Sequence, residues 1–273
     1  MLSAVRGSFL FASFLIVAAA IVAAAPQSTL SSQAAPPPTA QGGLPQSAPS
    51  QPVYSGPVIV LNPAHGGTDT GARGENGAIE KDIVLQFARA IRIELVRQGY
   101  RVVMTRDDDS DPSYDDRAEM ANSYRDAIFI SLHVSSTGMP SIARAYYYQF
   151  WNPIPPVNSP VAATGATAQP IIRATPSATL TPWNEAQRPH EEESHRLADQ
   201  IQLQLAQSFA GSPAVSQGVA VRGLRSVAAP AVAIEISSVS VNAASLTAMA
   251  EPLAACILKG LEAFRAPNSA GAK

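Results

Sequence analysis

The hydrophobic pattern begins with an apolar run from Phe9 to Ala25 behind Arg6, then falls away, and from Val58 onward alternates between two periods. Val58-Ile59-Val60-Leu61 is continuously apolar, as a strand covered on both faces of an α/β sheet must be. Val84, Phe87, Ala88, Ile91 and Leu95 recur at three- and four-residue spacing, which predicts a helix from about Glu80 to Gln98 with Gly99 as its left-handed stop. Arg101 to Thr105 reads as a second strand, Ser113 to Tyr124 as a shorter helix capped by Ser113, and Ala127 to His133 as a third strand. This alternation implies right-handed crossovers and a mainly parallel sheet. Ala145 to Phe150 reads as a fourth strand. A helix from Glu191 to Phe209 follows, with Leu197, Ala198, Ile201 and Leu205 on one face. Strands at Val219 to Val221 and Ala231 to Ile236 precede a closing helix from Pro252 to Phe264.

Between these elements the composition divides the chain. Residues 1–25 read as a signal peptide ending in Ala23-Ala24-Ala25, and 26–56, rich in Pro, Ser, Gln and Ala, as a disordered linker. Residues 57–266 read as one α/β domain, interrupted at about 151–189 by an insertion rich in Pro, Ala and Thr, and 267–273 as a disordered tail. The leader predicts export to the periplasm, the cell wall or the medium, with no stable membrane insertion of the mature chain. With 19 Lys and Arg against 21 Asp and Glu, no basic stripe exists to neutralise phosphates, which argues against a nucleic-acid partner. The lone Cys256 has no internal disulfide partner and reads as packing.

Sites in parallel α/β sheets form outside the carboxyl ends of the strands. His65 follows the first strand, His133 ends the third and Glu235 lies near the end of the last, while the Gly-rich loop from Gly66 to Gly77 can fold Glu80 back to the same edge. Two imidazoles and one carboxylate suit a catalytic zinc ion with an open coordination place, and a second carboxylate would then take a proton from water and return it to a leaving amine. Taken singly, His133 reads as a hydrogen-bonded strand end and Glu80 as a charge favouring a helix start. His65 is harder to read as core because Gly66-Gly67 permits a close turn around it. Glu235, within Ala-Val-Ala-Ile-Glu-Ile, needs a cation, either a metal or Arg225. His190 and His195 stand five apart, one too many for the zinc-binding HExxH pattern, and read as a solvated helix start.

The stretches Val58 to Ala72, Glu80 to Leu85, Gly99 to Arg106, Arg117 to Asn122, Ile130 to His133, Leu224-Arg225 and Pro230 to Glu235 together resemble the zinc-dependent N-acetylmuramoyl-L-alanine amidases of the type-3 group. The resemblance implies a six-stranded single domain and one zinc ion on His65, Glu80 and His133. It further implies Glu235 as the catalytic acid/base, Arg225 near the substrate, and peptidoglycan as substrate, cut between N-acetylmuramic acid and L-alanine, with any regulatory protein unspecified. Asn62-Pro63-Ala64 stands where the family has Asp-Pro-Gly, and Val134-Ser135 where it has Ala-Asn, which implies activity with a shifted preference. The competing readings are a silent peptidoglycan-binding or activator module with this fold, and a zinc peptidase acting on stem peptides. Trp151 and Trp183 read either as sugar-stacking residues or as local packing.

Overall fold

The continuous apolar runs become the centre of a six-stranded sheet. The computed structural model describes residues 56–74, 77–151, 181–238 and 243–266, which lie within one compact unit, Gln51–Lys273. β1 (Val58–Pro63) leads through α1 (Glu80–Arg97) to β2 (Arg101–Met104), and α2 (Tyr114–Asn122) returns the chain to β3 (Ala127–Ser135) on the other side of β1. β4 (Ile142–Tyr148), α3 (Glu191–Ser208), β5 (Gln217–Val219), β6 (Ala231–Ser237), α4 (Ala243–Ala248) and α5 (Ala250–Arg265) follow. The strand order is β2-β1-β3-β6-β4-β5, with β1 parallel to β2 and β3, β6 parallel to β3, and β4 antiparallel to β6. The chain reverses its winding direction between β1 and β3, so a crevice opens beyond the carboxyl ends of these two strands.

Alternate residues of each strand feed two cores. Ile59, Leu61, Ile128, Ile130 and Leu132 pack with Val84, Phe87, Ile91 and Leu95 of α1 and with buried residues of α3 and α5. Val60, Phe129, Ala231 and Ala233 face the other way, against Ala118 and Ala121 of α2 and Leu224 and Val227. The stretch Ala244–Arg265 is long and apolar enough to cross a membrane, but Leu253, Cys256, Ile257 and Leu261 belong to the core, and Gly260 lets α5 close onto Ile201 of α3.

The helix caps follow the sequence. Ser113 accepts from the Asp116 amide at 3.2 Å while Asp116 accepts from the Ser113 amide at 2.9 Å, a reciprocal capping box, and Gly99 ends α1 at φ 82°. Several elements differ from expectation. β3 runs on to Ser135, β4 occupies Ile142–Tyr148, β5 occupies Gln217–Val219, and α4 was not anticipated, its six residues being too few to display a period. Within the expected insertion, 152–180 lie outside the described residues, but Trp183–Glu185 and Arg188–His190 form 3-10 turns. They are pinned because the Trp183 indole donates to Asp115 at 2.9 Å and buried Gln187 donates to the Ala229 carbonyl at 3.0 Å. The expectations for residues 1–55 and 267–273 also lie outside the described residues.

Candidate metal centre and its cleft

At the β1–β3 crevice, one ligand atom from each of His65, Glu80 and His133 lies within 4.8 Å of the others. His65 Nε2 is 3.1 Å from one oxygen of Glu80, and His133 Nδ1 is 3.2 Å from the other. Ligands on a tetrahedral zinc at roughly 2.0–2.1 Å stand about 3.3 Å apart, close to the two His–Glu contacts, and two imidazoles with one carboxylate are a donor set that suits such an ion.

Local sequence explains each position. After β1 the backbone turns sharply, with His65 at φ 62°, Gly66 at 139° and Gly67 at 52°. The left-handed His65 is held by the Arg117 guanidinium, which donates to its carbonyl at 2.9 Å, and by Asp69, 2.7 Å from its Nδ1. Gly71, at φ 63°, lets the loop press against the site, since a Cβ there would lie 2.5 Å from Glu80 and 2.6 Å from His65. Glu80, 4% exposed, accepts from the amides of Ala72 at 2.8 Å and Val134 at 3.0 Å. His133 meets Ser131 Oγ at 3.1 Å through Nε2, and Ser131 accepts from the Asn62 amide at 2.9 Å. Hydroxyl oxygen has two lone pairs, so Ser131 can accept from both Asn62 and a protonated His133 Nε2, which leaves Nδ1 its lone pair for a metal.

Charge in the site follows from these contacts. The hydrogen bond that His65 donates to Glu80, opposed by burial and reinforced by Asp69, pushes the metal-free His65 imidazole up to about 9. Burial alone would raise the Glu80 carboxyl, but hydrogen bonds to His133, His65 and Ala72 outweigh it and hold the group ionised far below the ordinary carboxylate range. The metal-free centre therefore carries a proton where a cation would otherwise sit.

Asn62 ties the turn after β1 to its neighbours. Its carbonyl accepts from Thr105 at 2.7 Å and Arg117 at 2.6 Å, while its amide makes the bond to Ser131 that a carboxylate could not. Arg106 braces the turn from behind, donating to the carbonyls of Pro63 and Ala64 at 2.9 Å and of Lys81 at 2.8 Å.

Glu235 stands directly opposite His133 in the parallel register of β3 and β6. It is half-buried, and the Tyr146 hydroxyl of β4 donates to its Oε1 at 3.4 Å. Its alternative partner, Arg225, makes no ion pair with it among the described residues, and donates instead to the Asn184 carbonyl at 2.7 Å. A cleft of about 370 Å³ is lined by His65 and His133 on the α2 side, and a second hollow of about 240 Å³ is lined by His133, Tyr146 and Glu235. Arg222, not Arg225, lines the larger cleft. His190 and His195 are satisfied on α3 and its cap, by Glu193 at 3.5 Å and Asp199 at 3.3 Å. Asp69, Ser131, Tyr146 and Arg222 escaped the sequence reading; the nearest signal was Asp69, four places after His65 in a Gly-rich loop.

The fold and donor set define an α/β protein suited to one divalent cation at a topological switch point. The chain belongs to the N-acetylmuramoyl-L-alanine amidase family, whose model matches residues 59–263. The N-acetylmuramoyl-L-alanine amidase AmiA of Escherichia coli (strain K12) is 38% identical over 95 residues, which cover 35% of this chain and 33% of that protein. The sporulation-specific N-acetylmuramoyl-L-alanine amidase of Bacillus subtilis (strain 168) is 40% identical over 82 residues, 29% of this chain and 32% of that protein. The matches thus span about a third of the length of these curated relatives. Among solved structures, the Mycobacterium smegmatis N-acetylmuramyl-L-alanine amidase superposes with TM-score 0.55 at 22% identity, over 77% of this chain and 97% of that one. The Clostridioides difficile CwlD amidase, solved with the GerS lipoprotein, gives 0.54 at 19% identity, over 76% and 98%. At these identities the likeness concerns the fold.

Proposed function

We propose that this chain hydrolyses the amide joining N-acetylmuramic acid to L-alanine in peptidoglycan, with one zinc ion held by His65 Nε2, Glu80 and His133 Nδ1. The observation that carries the reading is the convergence of these three donors within 4.8 Å, one strand away from Glu235. Zinc in this place supplies Lewis acidity, which polarises the scissile carbonyl and acidifies water. Glu235 takes a proton from the attacking water as oxygen adds to the carbonyl carbon, and delivers it to the departing amine nitrogen as the C–N bond breaks. Tyr146 holds the Glu235 carboxylate by its hydroxyl. Asp69 and Ser131 fix the two imidazole rings, and the half-open cleft admits an extended polymer. The apolar run from Phe9 to Ala25, read as a leader, agrees with export to the envelope, where that polymer lies.

The test is digestion of purified sacculi by the zinc-loaded protein, followed by mass spectrometry. Release of intact peptides beginning with L-alanine supports the reading. Peptides cleaved internally would make this chain a stem-peptide peptidase, and stoichiometric zinc without digestion would make it a wall-binding module.

A further inference from the structure

Two guanidinium groups line the larger cleft, and they are not equivalent. Arg117 is buried, and its five N–H donors are spent on Asn62, Asp111, Thr105 and the carbonyls of Pro63, His65 and Pro112. Arg222 is exposed on the 3-10 turn Arg222–Leu224, and no carboxylate lies within ion-pair reach of it among the described residues. Its guanidinium carbon sits 4.9 Å from the centroid of the Tyr114 ring. Stacking on an aromatic face limits the directions in which the donors point while leaving them unspent. Tyr114 itself is fixed as the first residue of the capped α2, and Gly223 packs against it without a side chain to intervene. The acids in the same cleft are committed, Asp69 to His65 and Asp111 to Arg117. The cleft thus offers a ligand one preorganised, unpaired positive charge in the same cavity as His65 and His133.

We propose that Arg222 is a specificity-determining residue that pairs with a carboxylate of the stem peptide, placing the peptide in the cleft between β1, α2 and the Arg222 turn. This rests on the amidase reading. The second residue of such a stem, a glutamate linked through its γ-carboxyl, carries a free α-carboxylate one residue beyond the scissile amide. That group is the nearest fixed anion on the leaving side of the bond. The sugar and its lactyl group then lie toward the hollow lined by Tyr146, Val219 and Val221.

The test is binding of two synthetic stem peptides to the zinc-loaded protein by calorimetry, one with the free α-carboxylate and one with that group amidated, beside sacculus digestion by the same preparation. The wild type is expected to favour the carboxylate peptide about tenfold, the worth of one charge-assisted hydrogen bond. Arg222→Gln should erase the preference, and Arg222→Lys should restore part of it. Equal affinity of the wild type for both peptides, no detectable binding of either, or an undiminished preference in Arg222→Gln would overturn the proposal. A preference that depends on Arg222 in a protein that leaves sacculi intact would uphold the binding assignment and sink the amidase reading instead.

Discussion

His133 and Glu235 face each other across two adjacent parallel strands, the first within 3.2 Å of Glu80 and the second held by Tyr146. On the proposed reading Glu235 acts beside the centre, because the three donors that lie within 4.8 Å of one another are His65, Glu80 and His133. The division of labour is testable. Glu235→Gln should lower sacculus hydrolysis by about 10²- to 10⁴-fold and leave zinc content unchanged, whereas His65→Ala should lose both. Atomic absorption on the two purified variants, with a digestion assay, separates the roles. Equal zinc loss in both would move Glu235 into the coordination shell.

Gly71 supplies a second test because two separate constraints meet there. Its φ of 63° disfavours a side chain, and an added Cβ would also strike Glu80 and His65. Gly77 shares the first constraint, at φ 79°, but has nothing within 4 Å of the added atom. Both substitutions by Ala should cost about 1–2 kcal/mol of stability from the left-handed backbone. Only Gly71→Ala should also weaken zinc binding. Thermal unfolding and competitive zinc titration of the pair distinguish crowding of the donors from backbone strain, and matched zinc affinities would refute the crowding.

The metal-free protein should respond to pH through His65. Its ionisation is raised from the ordinary 6.5 to about 9, chiefly by Glu80. A raised value means that the charged imidazole stabilises the fold fully below 6.5 and that this contribution disappears as pH rises through about 9. The midpoint of thermal unfolding without metal should therefore fall over that window, and His65→Ala should flatten the fall. Because zinc must displace the same proton, its affinity should climb with pH across the window. An affinity independent of pH would contradict the proton-held centre.

The parts legible in the sequence were those written in a period or at a strand end. Val58 to Leu61 showed a strand covered on both faces, and it lies inside the sheet between β2 and β3 with Val60 and Leu61 in opposite cores. His65, Glu80 and His133 were visible as polar residues at element boundaries, and the topology brings them together. Arg222 went unread and Arg225 was named, because which of them faces the cleft is decided by a three-residue turn that has no hydrophobic period to read. Tyr146 was hidden for another reason. Its importance depends on β4 lying antiparallel beside β6, a pairing of distant segments that no local pattern encodes.

Ser131 offers the last test, because it separates support of a ligand from ligation. Ser131 is 2% exposed, and its hydroxyl joins the Asn62 amide, at 2.9 Å, to His133 Nε2, at 3.1 Å. Ser131→Ala leaves every donor to the metal in place. It removes the contact that fixes one imidazole, and it strands the Asn62 amide in a buried site. Zinc affinity should fall about 10- to 100-fold, as it does when a ligand loses its outer hydrogen bond. Stability of the metal-free form should drop by about 1–3 kcal/mol, the cost of an unsatisfied buried donor. Ser131→Thr keeps the hydroxyl and should retain most of both properties, whereas unchanged zinc affinity in Ser131→Ala would mean that Ser131 acts only through packing.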